Sequence, residues 1–310
     1  MSGGINIRED AALPGTRHPA AQVLSMLWRD KFALVAAIVL LLIVIGALIG
    51  PELLGEVASK QNLRGRNAPP FDLDRGWLFF LGADALGRPI LPRIILAARN
   101  TLLIAASAVV FAMLAGACLG LIAGYTSRAA SQIIMRLADV IMSFPSLLLA
   151  VIVLYMLEPS IFNLVVVLAV TRIPIYLRTT RAEVLEIRER MFVQAARVMG
   201  ASDARIVLRH ILPMVVPTLV TIATLDFAFV MLAESSLSFL GIGIQPPEVT
   251  WGLMVAQGRP YLAQAGWLAL FPGLAIVITT MSLTLLSGWM RTALDPVQRW
   301  RLEIGGRAGG

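Results

Sequence analysis

Six long runs with few or no charged residues divide this chain, and polar segments separate them. A transmembrane helix needs about 20 mostly apolar residues, because each residue rises about 1.5 Å and the hydrocarbon core is about 30 Å thick. The runs meet or approach that length. They cover residues 32–50, 101–124, 140–157, 160–177, 214–233 and 264–290. The pattern predicts an all-α integral membrane protein with six transmembrane helices.

Residues inside these runs predict where the helices bend and pack. Proline lacks a backbone donor, so Pro145, Pro217 and Pro272 predict kinks in the third, fifth and sixth spans. Gly116 and Gly120, four residues apart in the second run, indicate close helix packing. This packing serves either the core of the chain or an interface with a partner.

The distribution of Lys and Arg predicts the orientation, because these residues concentrate in cytoplasmic loops. With the N-terminus inside, the cytoplasmic segments hold 18 of them and the outer segments hold 8. Most of the outer ones lie in one long loop that also carries five carboxylates. The predicted organisation is a cytoplasmic tail (1–31), the first helix (32–50), a periplasmic loop (51–98), a core of five helices (99–290) with a cytoplasmic loop (178–212), and a cytoplasmic tail (291–310).

The composition agrees with a membrane protein. Of the 310 residues, 58% are hydrophobic and 15% are charged, whereas soluble domains have about 25% charged residues. The net charge is +7, but the Arg residues lie between apolar runs and form no basic face, so no nucleic-acid partner is expected. The single Cys118 excludes an intramolecular disulfide, and His18 and His210 are too isolated to suggest a metal site. Residues 1–30 lack the apolar stretch of a cleaved signal peptide, so the first run is expected to be an uncleaved anchor.

The loop between the fourth and fifth runs is strongly charged and has a helical pattern of its own. Residues 181–199 contain neither Pro nor Gly and predict a helix, which Gly200 interrupts. Ser202 is suited to cap a second short helix over residues 204–212, and Pro213 is expected to end it. Two interpretations are open: a solvated helical loop, or a docking element for a cytoplasmic partner protein.

Part of this loop matches a known pattern. Gln194-Ala195-Ala196 is followed by Gly200 and, at the end of the loop, by Leu212-Pro213. This order resembles the coupling loop of bacterial ABC importer permeases, where Glu-Ala-Ala precedes Gly and the loop ends in Ile-x-Leu-Pro. Gln194 replaces the usual Glu, and His210 replaces the Ile. The resemblance implies that the loop contacts an ATPase. The implied contact residues are Gln194, Ala195, Ala196, Gly200, Ser202, Asp203, His210, Leu212 and Pro213.

Further segments narrow the resemblance to the importer permeases for dipeptides, oligopeptides and nickel. They are residues 81–88 (LGADALGR), 135–145 (MRLADVIMSFP), 233–252 (AESSLSFLGIGIQPPEVTWG) and 293–296 (ALDP). With the coupling loop, the resemblance spans residues 25–300 in order. The chain looks like the second permease subunit of this group, similar to the dipeptide permease C subunits.

Several expectations follow from the resemblance alone. It implies a type I ABC importer permease fold in the bacterial inner membrane, with both termini cytoplasmic. The implied partners are a second permease subunit, two ABC ATPase subunits, an extracytoplasmic solute-binding protein and the lipid bilayer. ATP and Mg²⁺ belong to the ATPase subunits, and no cofactor is expected in this chain. Dipeptides or oligopeptides are the implied substrates, with nickel or another small solute as the alternative.

The residues themselves argue against an ATPase or another enzyme. A P-loop needs a lysine directly after glycine, and the two lysines, Lys31 and Lys60, follow Asp and Ser. No Ser or Cys nucleophile has a plausible His base. A secondary transporter is the rival class, and it should show internal repeats, which the sequence does not display.

Two acids in or near the fifth run are candidate pathway-lining residues. Asp226 lies inside the run and Glu234 directly follows it. Intramembrane carboxylates are energetically expensive and usually face the bundle interior or a cavity. They therefore line the translocation pathway or form structural pairs with an Arg or a hydroxyl of the partner subunit.

Overall fold

The computed structural model describes residues 26–294, and α-helices dominate this part of the chain. The helices are α1 (Lys31–Ser59), α2 (Ile90–Tyr125), α3 (Arg128–Met142), α4 (Ser146–Met156), α5 (Ile161–Ile187), α6 (Met191–Val198), α7 (Asp203–Phe239), α8 (Trp251–Gly258) and α9 (Trp267–Leu294). The predicted tails lie largely outside the described residues, as do His18 and the last two residues of the 293–296 segment.

Five of the described helices are long and apolar enough to cross a membrane: α1, α2, α5, α7 and α9. The pair α3 and α4 passes the same test only when taken together, and its two members meet at an angle of 84°. If this broken pair is counted as one span, the described chain has six. The predicted all-α membrane fold is confirmed.

The first two helices are longer than their apolar runs. Helix α1 continues through Pro51 to Ser59, and α2 already begins at Ile90. The segment between them is therefore residues 60–89, shorter than the predicted 51–98 loop. Charged positions such as Glu52 and Glu56 end an apolar run without ending a helix, because their side chains can be solvated while the backbone bonds continue.

The third span is broken, where a kink within one helix was predicted. Helix α3 ends at Met142, and Pro145 occupies the cap position before α4. Proline has no N–H to donate, and its ring clashes with the carbonyl four residues earlier. The hydroxyl of Ser143 donates to the carbonyl of Asp139 at 2.8 Å and satisfies one acceptor at the break. By contrast, Pro217 and Pro272 lie inside continuous helices.

The helices of the charged loop differ from the prediction in two ways. The predicted helix over residues 181–199 is split, because α5 ends at Ile187 and α6 begins at Met191. The predicted short helix over 204–212 does not stop at Pro213 but continues as α7. Val207–Ile211 forms a π-helical turn directly before this proline. The wider turn gives the ring of Pro213 more room next to the carbonyl four residues earlier.

The most extensive helix–helix contact in the described chain is between α2 and α5. Gly116, Gly120 and Gly124 follow one face of α2 at four-residue spacing. A Cβ atom built on Gly116 would lie 2.5 Å from Cβ of Tyr176, and one on Gly120 would lie 2.5 Å from Cβ of Thr180. The two predicted glycines therefore serve the core of this chain, and Gly124 extends the stripe by one further turn.

Substitution of Gly120 by Ala should destabilise the chain, because the added methyl has no room between the two backbones. The same change at Gly288 of α9, where a Cβ would meet nothing within 4 Å, is the matched control. We expect a loss of about 1–3 kcal/mol for Gly120→Ala, the usual cost of overpacking. Thermal unfolding of the detergent-purified proteins measures this, and equal melting temperatures for the two variants would contradict the packing argument.

Candidate coupling site

Helix α6 ends in a Schellman motif at Gly200. The N–H of Gly200 donates to the carbonyl of Arg197, and the N–H of Ala201 donates to the carbonyl of Ala196, each at 3.0 Å. Gly200 has a φ of 84°, in the left-handed region that glycine adopts without strain. A Cβ at this position would meet nothing within 4 Å. Within this chain, the glycine is therefore required for its backbone conformation, not for a close approach.

One face of α6 packs against the chain and the other is uncovered. Val193 and Ala196 are buried, whereas Ala195 and Gln194 are exposed. The Gln194 amide donates to the carbonyl of Glu189 at 3.1 Å, so this side chain is directed along the preceding turn.

Three large apolar side chains extend from the ends of α6 into the surroundings. Met191, Val198 and Met199 are 86%, 88% and 82% exposed. A helix that contacts only water gains nothing from three exposed apolar side chains, whereas exposed apolar patches are typical of docking surfaces. The exposed group therefore favours the docking interpretation of this loop.

The remaining predicted contact residues lie at the start of α7. Ser202 occupies the cap position, but its hydroxyl accepts no hydrogen bond from the helix. His210 and Leu212 are half-buried at the end of the π-helical turn, and Pro213 is exposed. We refer to residues 188–213 as the coupling segment.

Tyr125, which the sequence analysis did not single out, lies against this segment. Its hydroxyl donates to a carboxylate oxygen of Asp203 at 2.8 Å and accepts from the guanidinium of Arg197 at 3.1 Å. The hydrogen bond to Tyr125 raises the pKa of Arg197 above its ordinary value. Arg188 also donates to the carbonyl of Gly124 at 2.9 Å. The C-terminal end of α2 thus contacts three points of the coupling segment.

Asp226 is paired within this chain. Its carboxylate forms an ion pair with Arg172 of α5, and the Arg172 guanidinium carbon also lies 4.2 Å from the ring centroid of Phe229. Asp226 is 3% exposed. Its second oxygen, Nε of Arg172 and the hydroxyl of Tyr176 are buried without a hydrogen-bond partner in the described part of the chain. The acid therefore faces the interior between α5 and α7.

Glu234 is fully buried and bonded to its own helix. It accepts from Ser238 Oγ at 2.8 Å and from Ser235 Oγ at 3.3 Å. Ser238 Oγ in turn accepts the N–H of Ile244 at 3.3 Å, which ties the turn after α7 to the helix end. In this conformation the carboxylate stabilises the end of α7 and has no open surface.

A second charged cluster lies at the opposite end of α2, in the segment 81–88. Asp84 accepts the N–H of Leu86 at 2.9 Å and the N–H of Arg88 at 2.8 Å, and it forms ion pairs with the side chains of Arg88 and Arg93. Arg93 also donates to Gln257 of α8 at 3.2 Å. These groups border a cavity of about 380 Å³. The cluster fastens the 60–89 segment to α2 and α8.

Comparison with known proteins identifies the chain as an inner-membrane transport component. The family of binding-protein-dependent transport system inner membrane components matches residues 116–300. The chain belongs to this family. Among the described residues, no group of three or more His, Cys, Asp or Glu side chains could hold a metal ion.

Relatives within the family are peptide-transport permeases. The di/tripeptide transport system permease protein DppC of Pseudomonas aeruginosa is 40% identical over 268 residues, 86% of this chain and 88% of that protein. The dipeptide transport system permease protein DppC of Alkalihalophilus pseudofirmus is 34% identical over 278 residues, 90% of each chain. The glutathione transport system permease protein GsiD of Pectobacterium atrosepticum is 38% identical over 231 residues, 73% of this chain and 77% of that protein.

A solved structure supports the fold. A chain of the MetNI methionine ABC transporter, in an inward-facing conformation, superposes with a TM-score of 0.55 at 19% identity. The match covers 66% of this chain and 98% of that chain. The predicted type I ABC importer permease fold is confirmed.

A substitution at Gly200 should be tolerated if the new residue readily adopts a positive φ, whatever the size of its side chain. Leu in the left-handed region costs about 1–2 kcal/mol, whereas Asn adopts this region more readily. We therefore expect Gly200→Leu to lower transport relative to ATP hydrolysis and Gly200→Asn to stay close to wild type. Uptake and ATPase rates of the reconstituted transporter test this. Transport unchanged by Gly200→Leu, or lost equally in both variants, would refute it.

Proposed function

We propose that this chain forms half of the translocation pathway of an ATP-driven importer for dipeptides or oligopeptides. The exposed α6 surface that ends at Gly200 is the observation on which the proposal rests, because it is a docking surface on the polar connection between two spans. The relatives named for dipeptides, tripeptides and glutathione favour peptides over nickel as the substrate class.

The partners follow from this assignment. A second permease subunit supplies the other half of the pathway, and a solute-binding protein delivers the peptide from outside. Two ATPase subunits hold ATP and Mg²⁺ and contact the coupling segment. This arrangement requires the coupling segment and both termini to be cytoplasmic and the 60–89 segment to face the periplasm, as the Lys and Arg distribution indicates.

The continuity of α7 indicates how the ATPases act on the pathway. The helix runs from the coupling segment through the fifth span for 37 residues, a length of about 55 Å at 1.5 Å per residue. A displacement of the first turn of α7 is therefore passed directly into a membrane-spanning helix. ATP binding favours one of two pathway states because the closed ATPases bind that state better.

Co-purification tests the proposed function. Affinity-tagged chain expressed with its neighbouring subunits should bring down a second permease and two ATPase chains, and vesicles containing the complex should accumulate labelled dipeptide only with internal ATP. Removal of the exposed apolar group by the triple change Met191→Ser, Val198→Ser and Met199→Ser should release the ATPases but keep the second permease. Peptide uptake by this chain without an ATPase would instead indicate a secondary transporter.

We propose a structural role for Asp226, because its ion pair lies inside the chain. Asp226→Asn should destabilise the protein by about 3–5 kcal/mol, since Arg172, only 18% exposed, then remains as an uncompensated charge. The double change Arg172→Met, Asp226→Leu removes both charges and should cost less. Asp139→Asn is the matched control, because the Asp139–Arg178 pair is exposed and worth about 0–1 kcal/mol.

Melting temperature and peptide uptake, measured together, decide between the two roles of Asp226. The structural role requires uptake to fall in parallel with stability. An Asp226→Asn protein with wild-type melting temperature and no uptake would assign the acid to the pathway.

A further inference from the structure

The two parts of the coupling segment are joined by the Gly200 turn. Helix α6 lies before Gly200 and α7 begins after it, and residue 200 has no side chain that could join the two helices. A displacement of α6 can change the backbone angles of this turn without moving α7, unless another contact joins α6 to the start of α7.

The side chain of Tyr125 makes that contact. Its hydroxyl is a hydrogen-bond donor to Asp203, which follows Gly200, and an acceptor from Arg197, which precedes it. A carboxylate acceptor and a guanidinium donor form charge-assisted hydrogen bonds, which are stronger than neutral ones. The Arg197 guanidinium carbon also lies 5.9 Å from the centroid of the Tyr125 ring. One phenol therefore bridges the Gly200 turn from the outside.

The end of α2 is well suited to hold this bridge. Its last carbonyl groups carry the negative end of the helix dipole, which attracts the cationic Arg188 and Arg197. Arg188 donates directly to the carbonyl of Gly124, one residue before Tyr125. The Cβ that Gly124 lacks would lie 2.6 Å from Cβ of Val184, so this end of α2 is pressed against α5.

We propose that Tyr125 is a positioning residue that makes the coupling segment move as one body with α2. This inference rests on the proposed importer function. Through the Tyr125 bridge, a displacement of α6 reaches the fifth span along α7. It also reaches the second span (α2) and, through the glycine stripe, the fourth span (α5). Without the bridge, α6 moves relative to α7 about the Gly200 turn, and less peptide is transported per ATP hydrolysed.

The experiment uses the complete transporter in proteoliposomes and measures peptide transported per ATP hydrolysed with a labelled mixture of di- and tripeptides. Tyr125→Phe keeps the ring and removes both hydrogen bonds. We expect the amount of assembled complex to be unchanged and the ratio to fall about threefold or more. Tyr155→Phe, at a side chain that is 84% exposed, is the matched control and should keep the wild-type ratio.

A double-mutant cycle separates the bridge from general destabilisation. Asp203→Ala should lower the ratio as Tyr125→Phe does, and the double variant should be no worse than either single one, because the same contact is lost. Asp203→Asn keeps an oxygen acceptor for the Tyr125 hydroxyl but loses the charge, so its ratio should lie between those of the wild type and Asp203→Ala. Additive effects, a wild-type ratio in Tyr125→Phe, or a loss of assembled complex with an unchanged ratio would each overturn the proposal.

Failure of this inference is distinguishable from failure of the proposed function. A wild-type chain that assembles with no ATPase would refute the importer assignment itself. A wild-type complex that transports peptide, together with a fully coupled Tyr125→Phe complex, would refute only the role of Tyr125.

Discussion

Backbone contact between α2 and α5 is the constraint on which the other contacts of this structure depend. Apolar side chains gain little by meeting each other in lipid, so helices associate there through close packing, which three glycines on α2 allow. Held in this way, α2 supplies fixed points at both ends. At one end Arg93 binds Asp84, and nearby the hydroxyl of Thr101 accepts the N–H of Trp251 at 3.1 Å. At the other end Tyr125 meets the coupling segment.

The coupling segment combines a surface that is exposed with a backbone that is firmly attached. Helix α6 presents apolar side chains outward, yet Val193 on its other face is fully buried. On the far side of the Gly200 turn, the π-helical stretch Val207–Ile211 allows α7 to continue through Pro213. Because α7 begins three residues after Gly200 and is continuous with a span, a displacement of its first turn also moves that span.

The sequence was sufficient for the apolar spans and for the helix break at Gly200, because apolar run length and a glycine interruption are local signals. It was insufficient where distant residues meet. Arg172 was visible as a charge near the end of the fourth run, but nothing local showed that it pairs with Asp226, 54 positions later. The same holds for Tyr125 and Asp203. Some helix ends also differ from the predicted ones. A helix can continue beyond its apolar run because charged side chains at its end are solvated.

The buried pair between α5 and α7 has a consequence for biogenesis. A lone Arg or Asp at the centre of a helix entering the bilayer costs about 2.5–3.5 kcal/mol on translocon scales. Arg172 and Asp226 each impose this cost on a separate helix, and their contact removes much of it only when both helices are present. The pair therefore favours a membrane in which α5 and α7 are both present over one that holds either helix alone.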